Sequence, residues 1–408
     1  MKDFKLAWRN IWRNPRRTAV ILIAVIIGVW SMICIAALMR GIVGGMVSNG
    51  INTLTGHLQI HQRDYPDDPV VDHRIKDPGA VMGMVAPHLP KNSQWSQRVR
   101  VNAVASNARH STGVTMVGIA PAAEAKVSFI GTSVTAGRYL KDDDTSAIVI
   151  GKALAEQFET RIGKKLILMS QDAGGEIASR AFRIVGLFQA EMEATEKRYA
   201  FVPVSSAQKM LKMQDAVSEI AVLLPGHDMA AETATRLQKL LGTDKLIVQS
   251  WQQILPMVTA VLKLYDYFVF VWFLVIFIAM GFGIVNTTLM SVFERMREFG
   301  LLKALGMRPG RIIGSILAES FFTLLLGMGV GTTMGLLTGW GLSFSGIDLS
   351  GLAQGAEFAG MARIIFPIML AKDILGANLV VLILGLLVSL YPATKAARFT
   401  PVEALSHT

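Results

Sequence analysis

One cysteine in 408 residues, Cys34, rules out an intramolecular disulfide, so any folded domain in this chain stands on its own packing. Charge is scarce as well. Only 17% of residues are Asp, Glu, Lys or Arg, against about a quarter in a typical soluble domain. With 52% hydrophobic residues and a mean hydropathy of +0.44, this excludes a wholly soluble protein. Four stretches have no charge at all: Thr18–Met39, Tyr267–Phe293, Ser320–Ile347 and Ile374–Thr394. Each reaches the ~20 helical residues needed to cross hydrocarbon. Catalytic signatures are missing too. No G-x-x-x-x-G-K-[ST] pattern occurs, so the chain supplies no P-loop. "GTSVTAG" offers hydroxyls without the His/Asp setting of a nucleophile. His57 and His61 in "GHLQIHQ" would share one face of a strand, but no third ligand accompanies them and no metal site is expected. Cys34, in "SMICIAAL", reads as a small apolar packing residue.

What charge there is lies at the ends of the apolar runs. Lys2, Lys5, Arg9, Arg13, Arg16 and Arg17 precede the first; Arg295, Arg297, Lys303, Arg308 and Arg311 lie between the second and third; Lys395 and Arg398 follow the fourth. The connector between the third and fourth has only Arg363 and Lys372, against Asp348, Glu357 and Asp373. The positive-inside bias therefore puts both termini and the 290–312 connector in the cytoplasm and the large 41–265 segment outside. The net charge of +10 is concentrated at these cytoplasmic edges, which argues for the membrane surface and against nucleic acid as its partner. The first run is longer than an ordinary signal-peptide core and lacks an A-x-A-like site, so an uncleaved anchor is expected.

The expected order is an amphipathic elbow helix at 1–17, a first span at 18–40, a soluble segment at 41–265 and a second span at 266–293. A connector helix at 294–310, a third span at 311–342, a loop at 343–373, a fourth span at 374–394 and a tail at 395–408 follow. Phe4, Trp8, Ile11 and Trp12 line one face of the elbow, which Pro15 is expected to end. Strand-like runs such as "HLQIH", "GVTMVGI", "SAIVIG", "KKLILMS", "AFRIVGLF", "RYAFVPV", "EIAVLL" and "KLIVQ" alternate with amphipathic helical ones. This predicts a large α+β domain between the first two spans. Two lobes are expected, 52–110 with 215–250 and an inserted 111–214. Helices over 18–53 and over Ser250–Arg295 would outrun the bilayer and form a stalk.

The connector is the most informative stretch. "SVFERMREFGLLKALGM" places Val292, Met296, Phe299 and Lys303 at helical spacing, with charge pairs among Glu294, Glu298, Arg295, Arg297 and Lys303. Gly300 and Gly306 permit a bend and close approach; Pro309 and Gly310 turn the chain back. A short helix pinned between two spans either docks on another protein or rests on lipid, and the residues alone leave both open. Glu319 is the one acid within the third span. It is either a functional membrane acid or a shallow group paired with basic residues of a neighbouring helix.

"NTTLMSVFERMREFGLLKALGM" resembles the signature of MacB/LolC/LolE/FtsX-type (type VII) ABC permeases, in which E-R-x-x-E-x-G-x-L-x-A-x-G recurs: Glu294, Arg295, Glu298, Gly300, Leu302, Ala304 and Gly306 match it. "LAWRNIWRNPRRT", "AIVIGKALAEQFETRIGKKLIL", Glu319 with the glycines after it, and "YPATKAARFTPVEAL" resemble further blocks of that family in the same order. The resemblance implies four transmembrane helices with a periplasmic α+β domain after the first, in a bacterial inner-membrane permease that is not itself an enzyme. Glu294, Arg295, Glu298, Phe299, Gly300, Leu302, Lys303 and Gly306 would form a coupling helix on a separate ATPase subunit that binds ATP and Mg. A second permease, identical or related, and a lipoprotein, lipid-like or other amphipathic substrate are implied as partners, with a possible periplasmic one. The absence of a fused ATPase resembles the LolC/LolE branch more than MacB. An FtsX-like signalling scaffold acting on a cell-wall hydrolase and a MacB-like efflux permease are the alternatives. The tip "QDAGGEIAS" departs from the proline-containing hook of the LolC-like permease.

Overall fold

The structure is a computed structural model that describes residues 12–242, 245–348 and 364–399. Most of the expected elbow helix, part of the 343–373 loop and most of the tail lie outside these residues. The chain divides into two compact units, a membrane unit (residues 12–44, 262–348 and 364–399) and an α/β unit, Gly45–Val261.

In the membrane unit, four helices are long and apolar enough to cross a bilayer. They are α1 (Pro15–Gly50), α2 (Pro256–Glu294), α4 (Pro309–Ser345) and α5 (Ala371–Arg398), with the short α3 (Met296–Ala304) between α2 and α4. Pro15 opens α1, where a missing N–H costs nothing. Each span outruns the residues expected for it. The predicted helix over Ser250–Arg295 is broken at both ends. Leu255 leaves the helical region (φ −115°, ψ 66°) because the following Pro256 disfavours it there. Arg295 (φ −101°, ψ 14°) separates α2 from α3, so Val292 belongs to the membrane helix and not to the connector.

The bundle core joins Val25, Val29, Met32 and Ile33 of α1 to Met280 and Ile284 of α2, Leu324 and Met328 of α4, and Ala377 and Val381 of α5. Lipid tails are as apolar as these side chains, so close packing has to hold the helices together. Glycines provide it. Gly327, Gly331, Gly335 and Gly339 recur every fourth residue along α4, all buried. A Cβ on Gly331 would lie 2.8 Å from the Ile26 carbonyl oxygen of α1.

In the α/β unit, ten strands form one mixed sheet in the order β10-β1-β9-β2-β3-β8-β5-β7-β4, with β6 pairing β2 and β7. These are β1 (Leu58–Gln62), β2 (Gln94–Ser106), β3 (Ser111–Ile119), β4 (Val134–Gly137), β5 (Ala147–Gly151), β6 (Lys165–Gln171), β7 (Ile177–Phe188), β8 (Tyr199–Pro203), β9 (Glu219–Leu223) and β10 (Leu246–Ser250). The two expected lobes are the two halves of this sheet: β10, β1, β9 and β2 come from the first segment, the remaining strands from the second. They are not separate, because β2 and β3 pair along their length, from Arg98↔Ile119 to Ser106↔Ser111. Phe129, Phe188 and Phe201 meet edge to face beneath the second half.

Candidate functional site

The connector is a nine-residue helix seated on its own bundle. Phe299 is 4% exposed and packs with Val292, Ile312, Ile316, Ala393 and Ala396, at the ends of α2, α4 and α5. Lys303 donates to the carbonyls of Ala397 (2.6 Å) and Phe399 (2.6 Å), satisfying the C-terminal end of α5 with a cation. Gly306, at φ +91°, closes α3: its N–H reaches the Lys303 carbonyl, and that of Met307 reaches Leu302. A side chain with Cβ would be strained in this left-handed turn, which sends the chain into α4.

Charge organises the membrane side of this helix. Arg295, in the break between α2 and α3, donates to Glu298 (3.1 Å) and to Glu319 of α4 (3.0 Å), with its guanidinium over the Phe299 ring. Arg17, in the first turn of α1, donates to Glu294 (3.0 Å) and to the Ser291 hydroxyl, and lies 3.8 Å from the other Glu319 oxygen. One carboxylate thus faces two arginines, one from α1 and one from the break between α2 and α3. Arg17, Arg295 and Glu319 are each no more than 20% exposed, where such pairs are screened far less than on an open surface. Between them lies a cavity of about 30 Å³, also touched by Thr288 and Ser389, with room for a water molecule. Arg13 reaches Glu298 at 2.6 Å. Burial alone would raise the Glu298 carboxyl, but hydrogen bonds from Arg13 and Arg295 outweigh it and hold it below the usual carboxylate range.

Of the residues expected to meet an ATPase, Glu294, Arg295, Glu298, Phe299, Leu302 and Lys303 are brought together, but largely against the chain itself. Phe299 and Gly300 are buried, and Leu302 and Lys303 are half-buried. The face left open carries Arg297, Leu301, Ala304 and Leu305, with Leu301 55% and Leu305 77% exposed. Helical spacing from Phe299 found the inward stripe. The outward one needed the knowledge of which stripe the bundle covers. In the sequence Arg13 and Arg17 are topology signals only, and nothing local links Arg13 to Glu298 or Arg17 to Glu319, each nearly 300 positions or more away.

The α/β unit accounts for the other candidates. His57 accepts a hydrogen bond from the Leu224 N–H at 2.9 Å, and His61 stacks on Tyr65. No metal-binding cluster occurs among the described residues. The "QDAGGEIAS" tip between β6 and β7 is folded onto its own domain. Asp172 Oδ1 accepts from the N–H groups of Gly174 and Glu176, Lys212 bridges Asp172 (2.7 Å) and Glu176 (2.9 Å), and the Ala173 N–H donates to the Leu211 carbonyl.

Two family profiles match the chain: the MacB-like periplasmic core domain over residues 18–240 and the FtsX-like permease C-terminal region over residues 269–401. The lipoprotein-releasing system transmembrane protein LolC of Neisseria meningitidis serogroup B is 24% identical over 318 residues, covering 75% of this chain and 76% of LolC. The macrolide export ATP-binding/permease protein MacB of Escherichia coli K12 is 23% identical over 422 residues, covering 98% of this chain and 60% of MacB. Among solved structures, the periplasmic region of MacB from Actinobacillus actinomycetemcomitans aligns with a TM-score of 0.36 at 13% identity, covering 52% of this chain and 97% of that one. The extracellular domain of the transporter YknZ from Gram-positive bacteria aligns with a TM-score of 0.33 at 18% identity, covering 47% of this chain and 100% of that one. Two profiles in tandem, the first over more than half of the sequence, and a connector pinned between the second and third of four spanning helices lead to one conclusion: the chain belongs to the MacB/FtsX-like family of ABC transporter permeases.

Proposed function

We propose that this chain is the permease subunit of a transporter whose separate ATPase docks on α3, and that the docked helix transmits nucleotide-driven movement to the α/β unit on the opposite side of the membrane. The observation that carries this reading is the Arg295 hinge. The residue that ends α2 and begins α3 also holds Glu319, which in turn faces Arg17 at the foot of α1. A displacement of α3 therefore acts on three membrane helices at once, and α1 runs from that contact into the α/β unit without leaving helical structure. The exposed Leu301 and Leu305 supply an apolar contact for the ATPase, and Arg297 a basic one.

The basic flanks support an orientation with α3 and both termini in the cytoplasm and the α/β unit in the periplasm of an inner-membrane protein. A lipoprotein or another lipid-like amphipath is the substrate class we favour, following the LolC relatives. Extrusion works from the outer face, with ATP and Mg held by the partner, and a second permease completes the complex. The folded-down Asp172–Lys212 tip argues against a projecting hook for a periplasmic chaperone. MacB-like efflux is the second reading, favoured by the 98% of this chain that aligns with MacB.

The test is retention of the partner ATPase through purification, with cysteine labelling at position 297 to fix the side of α3. Leu301→Glu with Leu305→Glu should abolish retention while the permease inserts normally. Lys141→Ala, in an exposed turn of the α/β unit, should retain it. Arg295→Glu should retain the ATPase but lose turnover, and recover part of it with Glu319→Arg. Wild-type retention and turnover in the leucine variant would leave α3 as a lipid-resting turn.

A further inference from the structure

Arg98 is fully buried in the middle of β2. A guanidinium in that position needs its donors matched, and three groups match them through four hydrogen bonds. Nε and Nη2 form a fork on Glu124 at 3.0 and 2.7 Å. Nη1 donates to Glu219, its cross-strand partner on β9, at 3.1 Å. The same Nη1 also donates to the backbone carbonyl of Leu54. Glu124 and Glu219 are buried too, and Arg100, 3.8 Å from Glu219, brings the cluster to two positive and two negative charges.

The third partner differs from the other two in kind. Leu54 lies in a π-helical turn, Ile51–Thr55, that follows directly from α1. Its carbonyl, at the end of a helix, has no intrahelical donor. The sheet supplies two. Besides Arg98, the buried amide of Gln59 on β1 donates to Leu54 (3.1 Å) and to Thr55 (2.9 Å). The Leu54 side chain is buried in the core with Ile119, Phe188 and Phe201. Only Gly56 and His57 separate this turn from β1, and their N–H groups are also taken, by the carbonyls of Ile51 and Val222. No slack remains between helix and sheet.

We infer that Arg98, with Gln59, is a positioning residue that clamps the end of α1 to the centre of the sheet, so that movement of α1 is passed to β2 and β9 and is not absorbed at the junction. A charged cluster confined to packing would satisfy Arg98 with its two glutamates. Here one donor is spent on the backbone of the incoming helix. The clamp stands on the geometry of the α/β unit alone. Its role in transmission rests on the coupling function proposed above.

Two measurements on the full-length chain, reconstituted in nanodiscs with its ATPase, separate these parts. The first is hydrogen exchange at residues 54–57 without nucleotide. Gln59→Leu removes two of the donors without touching a charge, and Arg98→Lys keeps the charge but loses the fork. Both should raise exchange there at least tenfold while melting remains cooperative. Wild-type exchange in either folded variant would overturn the clamp; should Arg98→Lys not fold, Gln59→Leu decides. The second is the distance between spin labels at Ile177 and Leu240, both exposed, in a Cys34→Ala background, compared with and without ATP plus vanadate. The variants should lose more than half of the wild-type distance change while hydrolysing ATP. A full distance change despite raised exchange would reduce the cluster to packing. If the wild type shows no change, transmission and the coupling reading fall together, whereas the exchange result still decides whether Arg98 holds the helix end.

Discussion

His61 on β1 is 4% exposed and stacked on Tyr65, with ring centroids 5.2 Å apart. Burial pushes its pKa down to about 4; Glu219 opposes this shift and Arg100 adds to it. His57, lowered to about 4 chiefly by burial, behaves alike. The sign follows from proton counts. Between the ordinary value of 6.5 and about 4, the unfolded chain holds the proton and the folded one does not, so stability falls as pH drops through that window. Each histidine contributes a slope of at most about 1.4 kcal/mol per pH unit. Glu124 acts in the same direction lower down. Its burial would raise the pKa, but Arg98 lowers it below the ordinary 4.5, and its stabilisation is lost as pH falls beneath that value. Melting of the full-length protein in detergent should therefore show Tm falling from pH 7 to pH 5, with a shallower slope in His61→Gln. An unchanged slope would mean that His61 is charged in the fold. These residues also show how far the sequence could be read. The pair of histidines on one strand was visible, and so was Glu319 with a basic partner to find. Arg98 was not, because an arginine in "QWSQRVRVNAVAS" reads as surface until Glu124 and Glu219 are folded around it. The strand that carries it, β2, was not among the expected runs either, although Val99, Val101, Ala103 and Ala105 alternate along it.

Among the elements, α1 and α4 depend on each other most directly through glycine. Gly327 leaves 2.7 Å between a would-be Cβ and Val25 Cγ1, and Gly331 leaves 2.8 Å to a backbone oxygen that cannot rotate aside. Gly329, on the same helix, has no neighbour within 4 Å of its would-be Cβ. Gly331→Leu should therefore force α1 and α4 apart and cost about 1–3 kcal/mol or more, as overpacking does. Gly329→Leu should be close to neutral. Thermal unfolding of the two variants side by side checks this, and equal Tm values would remove the glycine seam as the reason for close packing. The helices themselves were legible from uncharged length. Their ends were not, since Leu255 and Arg295 interrupt an unbroken helical pattern for local reasons. One is the proline that follows; the other is a guanidinium turned back toward Glu319. Likewise α3 was recognisable as a helix. Which of its faces stays open depends on α4 and α5 packing over Phe299, information held elsewhere in the chain.

At the scale of the whole molecule, the order of spans and the α+β character of the inserted segment follow from charge-free length and alternating patterns, and both are present. The division into halves was visible in the order of the strands, but not the joint between them, because β2 is long enough to pair with β3, β6 and β9. The strand by which the chain enters the α/β unit is hydrogen-bonded to the strand by which it leaves: Leu58 on β1 pairs with Ser250 on β10. Just before and after them, Gly50 and Leu255 are in contact, leaving only 2.6 Å between a would-be Cβ and the Leu255 side chain. A domain whose two ends meet at one point is a cassette, and chains tolerate insertion or removal of such units at their points of attachment. Replacing residues 52–254 by a short Gly/Ser linker should yield a membrane unit that inserts, melts cooperatively and retains its ATPase, but does no work outside. Failure to insert would show that the bundle needs the domain in order to fold. Where insertion succeeds, the four helices are a self-sufficient mount, and the domain carried on them is exchangeable as a single contiguous segment whose first and last residues lie side by side.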